Sequence, residues 1–111
     1  MFASLSNPRM AYAQVGVETR VAGADPHQLI LMLFDGALMS VSSASHQMEV
    51  GDTAAKGQSI SRAIDIIGNG LKVSLDLDAG GELAQRLFAL YDYMCARLLH
   101  ANSQNDRVAL E

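Results

Sequence analysis

Cysteine occurs only once in the sequence, at Cys95, so no disulfide can form within the chain. A reducing compartment is the simpler assumption for such a chain, and we expect a cytosolic protein. Tryptophan is absent and aromatic residues make up only 5% of the chain, although 50% of its residues are hydrophobic. Hydrophobic content supplied largely by Ala, Leu and Met favours packed helices over a β-sandwich, which needs more aromatic and β-branched residues.

Positive charge is also scarce, because the formal net charge is -4 and the pI is near 5.2. This balance argues against nucleic acid and anionic lipid as partners, since their binding depends on Lys and Arg neutralising phosphates. No continuous apolar run approaches the roughly 20 residues that a membrane span needs. The N-terminus has neither the early positive charge nor the apolar segment of a secretory signal. We therefore expect no nucleic-acid partner and no membrane insertion.

Residues typical of metal or catalytic sites are present but are not arranged as such sites. The three histidines are far apart in sequence, so they lack the spacing of metal ligands. Asp76 and Asp78 alternate as in a calcium loop, but the position of the closing carboxylate falls on Leu87. Cys95 lies in an apolar helix with no acid–base partner nearby in sequence. We expect no enzyme, no metal and no cofactor.

Turn-forming residues divide the chain into an N-terminal arm and helices. Residues 1–24 show little helical periodicity and are expected to form a mobile or loosely docked arm. Asp25 and Pro26 predict a helix start, because the carboxylate caps the first turn and proline tolerates the first helical position. Apolar periodicity then predicts helices from Pro26 to about Val50, from a cap at Asp52 or Thr53 to about Leu75, and from Leu83 to about Ala101.

Each predicted helix carries an apolar stripe that we assign to the core. The stripes comprise Ile30, Leu33, Ala37, Val41, Ala44 and Met48; Ile60, Ile64, Ile67 and Leu71; and Leu83, Leu87, Leu90, Met94 and Leu98. Gly68 and Gly70 weaken the second helix, at about 1 kcal/mol each against Ala. Asp106 is expected to cap the start of a fourth helix. Short connections predict one all-α domain over residues 1–111, an antiparallel up-and-down bundle spanning 25–111.

Helices 1 and 3 have more apolar residues than one packing face requires. The surplus consists of Leu31, Phe34 and Leu38 on helix 1 and of Phe88, Tyr91, Cys95 and Leu99 on helix 3. Three explanations are open: the helices are central in the bundle, the arm covers them, or another chain does. Tyr12, Val15, Val17 and Val21 supply the arm with apolar side chains for the second explanation. A covering arm can also be displaced, which joins the second explanation to the third.

Three segments carry a resemblance to a known family. They are "AY" at Ala11–Tyr12, "DPHQLILMLFDGAL" at Asp25–Leu38 and "GGELAQRLFALYDYMCARLLHAN" at Gly80–Asn102. With helices of this order and length, the chain resembles the flagellin export chaperones, the FliS family, over nearly all of its length. The most specific pieces are "LFDGAL" at 33–38 and "LYDYM" at 90–94.

The resemblance implies a cytoplasmic, non-enzymatic helical bundle that binds the disordered C-terminal segment of flagellin. Such a chaperone prevents premature polymerisation and helps deliver flagellin to the flagellar export gate. The arm of family members bears a tyrosine that can cap part of the client surface, a role carried here to Tyr12. Resemblance and apolar stripes together predict a flagellin-binding site of Tyr12, Leu31, Phe34, Leu38, Leu87, Leu90, Tyr91, Met94 and Leu98.

Two departures from the family pattern accompany this prediction. Phe34 stands where the family usually has tyrosine, which removes one hydroxyl group. Family chains usually continue through a full last helix, so we expect that helix to be truncated here and its neighbours' faces to be uncovered. The alternative function is a structural module that forms homo-oligomers, such as a homodimer, without a flagellin client.

Overall fold

The computed structural model describes residues 25–111, so the predicted arm and Tyr12 lie outside the described residues. The described residues form three α-helices, α1 (Pro26–Val50), α2 (Thr53–Ile66) and α3 (Gly81–Gln104). Residues 25–111 contain no β-strand, and the predicted all-α class is confirmed. Residue contacts divide the chain into two units, Met1–Leu31 and Met32–Glu111.

Helix α1 begins and ends where its local sequence predicts. The Asp25 carboxylate accepts a hydrogen bond from Gln28 N at 2.8 Å, and Gln28 Oε1 accepts one from Asp25 N at 3.2 Å. This reciprocal pair satisfies two backbone donors that a helix N-terminus leaves without partners. Gly51 then ends the helix with a φ of 78°, a left-handed conformation that glycine adopts at little cost.

Helix α2 begins as predicted but ends earlier. The Asp52 carboxylate accepts a hydrogen bond from Ala55 N at 3.2 Å. The predicted helix to about Leu75 is wrong in its last part, because the α-helix ends at Ile66. A π-helical turn (Ile67–Leu71) and a 3₁₀ turn (Lys72–Ser74) follow it. The π-helical turn contains both Gly68 and Gly70, which have the lowest α-helix propensity apart from proline.

The C-terminal part of the chain differs from the prediction at two points. Helix α3 extends to Gln104, past the predicted end near Ala101, and is followed by Asn105 in a left-handed conformation with φ of 51°. Asp106 caps the next segment as predicted, accepting from Val108 N at 3.1 Å. That segment is a 3₁₀ turn (Arg107–Leu110), which we call the terminal turn, and not an α-helix.

The core contains aliphatic side chains of α2 and the π-helical turn, small residues of α1, and both small and large residues of α3. The buried hydrophobic residues are Ala37, Ala44, Ile60, Ala63, Ile67, Leu71, Ala84, Tyr91, Leu98 and Ala101. The second predicted stripe is confirmed by its buried members Ile60, Ile67 and Leu71, and the first is confirmed in part, because only Ala37 and Ala44 of it are buried. The third is wrong in part, because Leu83 and Leu90 are exposed. Tyr91 is buried instead, since α3 turns toward the core the face on which Ala84, Tyr91 and Leu98 repeat every seven residues.

Helix α1 contacts α2 near their connection and contacts the π-helical turn farther from it. Ser59 Oγ donates to Gln47 Oε1 at 2.7 Å, near the connection between the two helices. Farther from the connection, Leu33 packs against Gly70, where a Cβ atom would lie 3.1 Å from Leu33 Cδ2. The late part of α1 therefore contacts the early part of α2, and its early part contacts the segment that follows α2.

Two lysines, one in α2 and one in the 3₁₀ turn that follows it, form polar contacts with α3. Lys56 is buried, and its Nζ donates to the Asn102 carbonyl oxygen at 3.1 Å and to Asn105 Oδ1 at 3.3 Å. At the other end, Lys72 Nζ lies 2.5 Å from Asp92 Oδ1. The buried ammonium group thus satisfies a carbonyl in the last turn of α3, where the negative end of the helix dipole favours a cation.

Helix α1 is long and apolar enough to cross a membrane by length and composition alone. No long uninterrupted apolar run occurs in α1, but the mean hydropathy of an 18-residue window of this helix meets the criterion. The core helix of a soluble protein and a signal sequence near the N-terminus also meet it. Within α1 the buried residues are Ala37, Ser40 and Ala44.

Candidate binding groove

Helix α1 presents a second apolar flank beside the one that contacts α2. Phe34, Leu38 and Val41 follow each other at steps of three and four residues, so they share this flank. The Phe34 ring lies against Tyr91 of α3, with 6.3 Å between the ring centroids and 56° between the planes. Leu38 is 67% exposed. The second flank of α1 therefore contacts α3 at one level and is open at the next.

A groove of about 370 Å³ opens between α1 and α3 at the level of Leu38. Its wall is mainly aliphatic and aromatic, with one arginine among the side chains of α3. The lining residues are Leu38, Val41, Ile67, Tyr93, Met94, Arg97, Leu98 and the four residues Val108, Ala109, Leu110 and Glu111. Concave apolar surfaces with few polar groups are typical of binding sites for apolar ligand groups and amphipathic helices.

Hydrogen bonds and ion pairs join the terminal turn and its cap Asp106 to α1 and α3, the two helices on either side of the groove. Arg107 Nε donates to Ser45 Oγ of α1 at 2.8 Å, and Arg107 Nη2 lies 3.2 Å from Glu49 Oε2. His100 Nε2 of α3 lies 3.0 Å from Asp106 Oδ2. The hydrogen bond from His100 is the main cause that lowers the pKa of the Asp106 carboxyl group. These contacts place Val108 and Leu110 at one end of the groove.

The flank of α3 that carries the groove residue Met94, here called the groove flank, has further apolar residues toward the N-terminus of the helix. Leu83, Leu87, Leu90 and Met94 are spaced by three and four residues and share one flank. Leu83 is 69% exposed and Leu90 is 48% exposed, whereas Leu87 and Met94 are half-buried. Exposed leucines on one flank form an apolar strip of the kind that often marks an interaction surface.

The titratable groups of α3 next to the core are held in their neutral forms. Burial raises the pKa of the Tyr91 hydroxyl group. Burial also raises the pKa of the Cys95 thiol, with a smaller effect of the nearby Asp92 carboxylate. Cys95 Sγ lies 3.9 Å from the Ile64 carbonyl oxygen, as expected of a packed helical cysteine. Within residues 25–111, no group of three His, Cys, Asp or Glu side chains is arranged to hold a metal ion.

Only some of the residues predicted to bind flagellin line the groove. Leu38, Met94 and Leu98 line the groove. Phe34 and Tyr91 contact each other, with Tyr91 only 4% exposed. Leu87 and Leu90 share the groove flank of α3, Leu31 is an exposed residue of the first unit, and Tyr12 lies outside the described part of the chain.

Sequence reasoning missed several residues that line the groove. The sequence pattern places Val41 in the core stripe and Tyr93 only within the motif "LYDYM", but both line the groove. Arg97 is charged, so a search for apolar stripes could not find it, although it lies three residues after Met94 on the same flank. Val108 and Leu110 are apolar in the sequence, but their position at the groove depends on contacts distant in sequence.

Comparison with known proteins gives a consistent result over most of the chain. A family model described as "Flagellar protein FliS" matches residues 8–111. The flagellar secretion chaperone FliS of Salmonella typhimurium is 56% identical over 91% of this chain and 75% of its own length. The Escherichia coli protein of the same name is 52% identical over 91% of this chain and 74% of its length.

A more distant relative supports the same assignment. The flagellar secretion chaperone FliS of Bacillus subtilis is 35% identical over 93% of this chain and 72% of its own length. The match includes the two helical segments on which the resemblance was based, and the resemblance is confirmed. The chain belongs to the FliS family of flagellar secretion chaperones.

Proposed function

We propose that this protein is a cytosolic, non-enzymatic export chaperone that binds the disordered C-terminal segment of flagellin. By holding that segment, it prevents premature polymerisation of flagellin. It also assists delivery of flagellin to the flagellar type III export apparatus, through contact with a component of the export gate. The family assignment supports a flagellar client, and the groove supports the way in which the client is bound.

The single observation that carries this proposal is the apolar groove between α1 and α3. An α-helix laid in such a groove can bury apolar residues of its own and those of the groove. Each exposed leucine that becomes fully buried contributes roughly 1.5–3 kcal/mol. Part of that free energy is offset by the cost of ordering a client that is disordered before it binds.

The proposed arrangement of the helices is an antiparallel up-and-down bundle, and residues 1–111 form one chaperone domain. The contacts of Gln47 with Ser59 and of Leu33 with Gly70 support antiparallel packing of α1 with the segment that contains α2. Those of Lys56 with Asn102 and of Lys72 with Asp92 support it for α3. A client helix between α1 and α3 would then be a further member of the bundle.

The proposed client site contains the residues predicted from the sequence together with the groove. Leu38, Leu90 and Met94 offer exposed or half-buried side chains to the client. Leu98 lines the groove, Phe34 and Tyr91 contact each other, and Leu87 lies on the same flank of α3 as Leu90 and Met94. Leu31 and Tyr12 are included because of the family resemblance, and Tyr12 is proposed to lie in an arm that the client displaces.

Titration calorimetry with a synthetic flagellin C-terminal peptide tests this function. We expect a one-to-one complex whose affinity falls about tenfold or more in Leu90→Glu, because a charge replaces an apolar contact. Leu99→Glu is the matched control, since Leu99 is exposed on the same helix but on another flank. Absence of binding by the wild-type chain, or equal losses in both variants, would contradict the proposal.

The alternative is a structural module that pairs its exposed leucines with those of a second copy. The strip around Leu83 and Leu90 also favours this alternative, because such a strip can pack against its own copy. Sedimentation of the purified chain separates the two functions. A stable homodimer that excludes the flagellin peptide would support the alternative, whereas a monomer that forms a complex with the peptide would support the chaperone.

A further inference from the structure

Most cationic side chains in residues 25–111 have a partner within that part of the chain. Lys72, Arg86 and Arg107 form ion pairs with carboxylates, and Lys56 donates to two oxygen atoms near the end of α3. The remaining cations of the described residues are Arg62 and Arg97, which take part in none of the ion pairs or side-chain hydrogen bonds found there.

These two arginines differ in their surroundings. Arg62 is exposed on α2 and does not line the groove. Arg97 is half-buried and lines the groove beside Met94 and Leu98. A guanidinium group against an apolar wall loses part of its hydration, and an opposite charge compensates for that loss. Glu111 lines the same groove, but no ion pair joins it to Arg97.

We propose that Arg97 binds a carboxylate of the client helix and thereby determines which amphipathic helix the groove accepts. This inference rests on the proposed function, because it assumes that the groove holds a client helix. The ligand is an Asp or Glu side chain at the edge of the apolar face of that helix. The planar guanidinium group can donate two parallel hydrogen bonds to a carboxylate, which fixes position as well as charge.

The apolar groove alone specifies little about the position of the client along its length. A leucine-rich face can shift by one helical turn and still bury similar area, because apolar attraction is not directional. A single ion pair at Arg97 removes that freedom, because only one register brings the carboxylate to the guanidinium group. Charge complementarity of this kind contributes more to specificity than to overall affinity.

Calorimetry on three variants of the chain tests the inference with a synthetic flagellin C-terminal peptide. Arg97→Gln should weaken binding about tenfold at low salt, and by less at high salt, where the ion pair is screened. Arg97→Lys should give an intermediate affinity, because it keeps the charge and loses the two-pronged geometry. Arg62→Gln is the matched control and should bind as the wild type does.

A second set of peptides identifies the carboxylate. In each peptide one Asp is changed to Asn or one Glu to Gln. One of these peptides should bind the wild-type chain as weakly as the unchanged peptide binds the Arg97→Gln variant. The same peptide should bind the Arg97→Gln variant with no further loss of affinity. Urea unfolding of Arg97→Gln, expected to match the wild type, controls for folding.

The outcomes separate the inference from the proposed function. Binding by the wild type with unchanged affinity in Arg97→Gln overturns the inference and leaves the chaperone function in place. The inference is also overturned if the loss of affinity caused by Arg97→Gln adds to the loss caused by every peptide change, since no carboxylate of the peptide is then the partner of Arg97. Failure of the wild-type chain to bind the peptide contradicts the proposed function, and the inference with it.

Discussion

The aromatic rings of Phe34 and Tyr91 join α1 to α3, with their centroids 6.3 Å apart and their planes tilted by 56°. Phe34 belongs to the motif "LFDGAL" and Tyr91 to "LYDYM", the two motifs on which the family resemblance mainly rests. The two motifs therefore meet in one contact. Tilted aromatic pairs at this separation are favourable beyond the area that they bury.

Replacement of Phe34 by Ala should destabilise the chain, because it removes this contact and part of the packing against α3. We expect the free energy of unfolding to fall by about 2 kcal/mol for this half-buried ring. Urea denaturation measures the change. Met39→Ala, at an exposed position of the same helix, should change stability by less than about 0.5 kcal/mol. Equal effects of the two substitutions would show that the ring contact contributes little.

Substitution of the two glycines in the π-helical turn should have different effects. A Cβ atom at Gly68 would meet no atom within 4 Å, so Gly68→Ala should raise the free energy of unfolding by about 0.5–1 kcal/mol. At Gly70 a Cβ atom would lie 3.1 and 3.3 Å from the two terminal carbons of Leu33. Gly70→Ala should therefore be less stable than Gly68→Ala, by about 1 kcal/mol or more. Thermal unfolding that ranks the two variants equally would refute the close packing of α1 on this turn.

High pH should reduce stability through Tyr91. Burial raises the pKa of its hydroxyl group, so the folded chain holds this proton more tightly than the unfolded chain. The contribution is fully present below the ordinary tyrosine value of 10.0 and is lost as pH rises from there through the folded pKa. Urea unfolding over this range should show a smaller pH dependence in Tyr91→Phe. The control Tyr93→Phe, at an exposed tyrosine, should retain the wild-type dependence.

Low pH should weaken the interaction that caps the terminal turn, because Asp106 becomes protonated. The hydrogen bond from His100 lowers the pKa of the Asp106 carboxyl group below its ordinary value of 3.8. Its stabilising effect is therefore present above that ordinary value and is lost as pH falls through the lowered pKa. An NMR titration of the Asp106 carboxyl carbon should give a lowered midpoint, and His100→Ala should return it toward the ordinary value. A midpoint unaffected by His100→Ala would mean that the two side chains do not interact in solution.

The sequence predicts helix starts well because the capping side chains lie within three residues of the groups that they bind. Asp25 acts as predicted, and of the two caps considered for α2 it is Asp52 that accepts the hydrogen bond. The end of α2 could not be predicted in the same way. Its π-helical turn brings Gly70 against Leu33, which is distant in sequence, and helix propensity contains no information about that contact.

The face that α3 turns to the core is a second point that local pattern could not decide. The stripe through Leu83 and Leu90 and the stripe through Tyr91 have similar hydrophobicity and lie about 100° apart around the helix. Packing buries the face that carries Ala84, Tyr91 and Leu98, and Leu83 and Leu90 are exposed as a result. The groove residue Arg97 was missed for a related reason, since its position depends on the rotation of α3.

Binding of a flagellin C-terminal peptide to Leu38→Glu and Met39→Glu tests most directly whether the client lies between α1 and α3. These residues are adjacent in sequence and similarly exposed, at 67% and 71%, but only Leu38 lines the groove. Calorimetry should show an affinity about tenfold or more weaker for Leu38→Glu and nearly unchanged for Met39→Glu. Equal affinities of the two variants for the peptide would contradict the account.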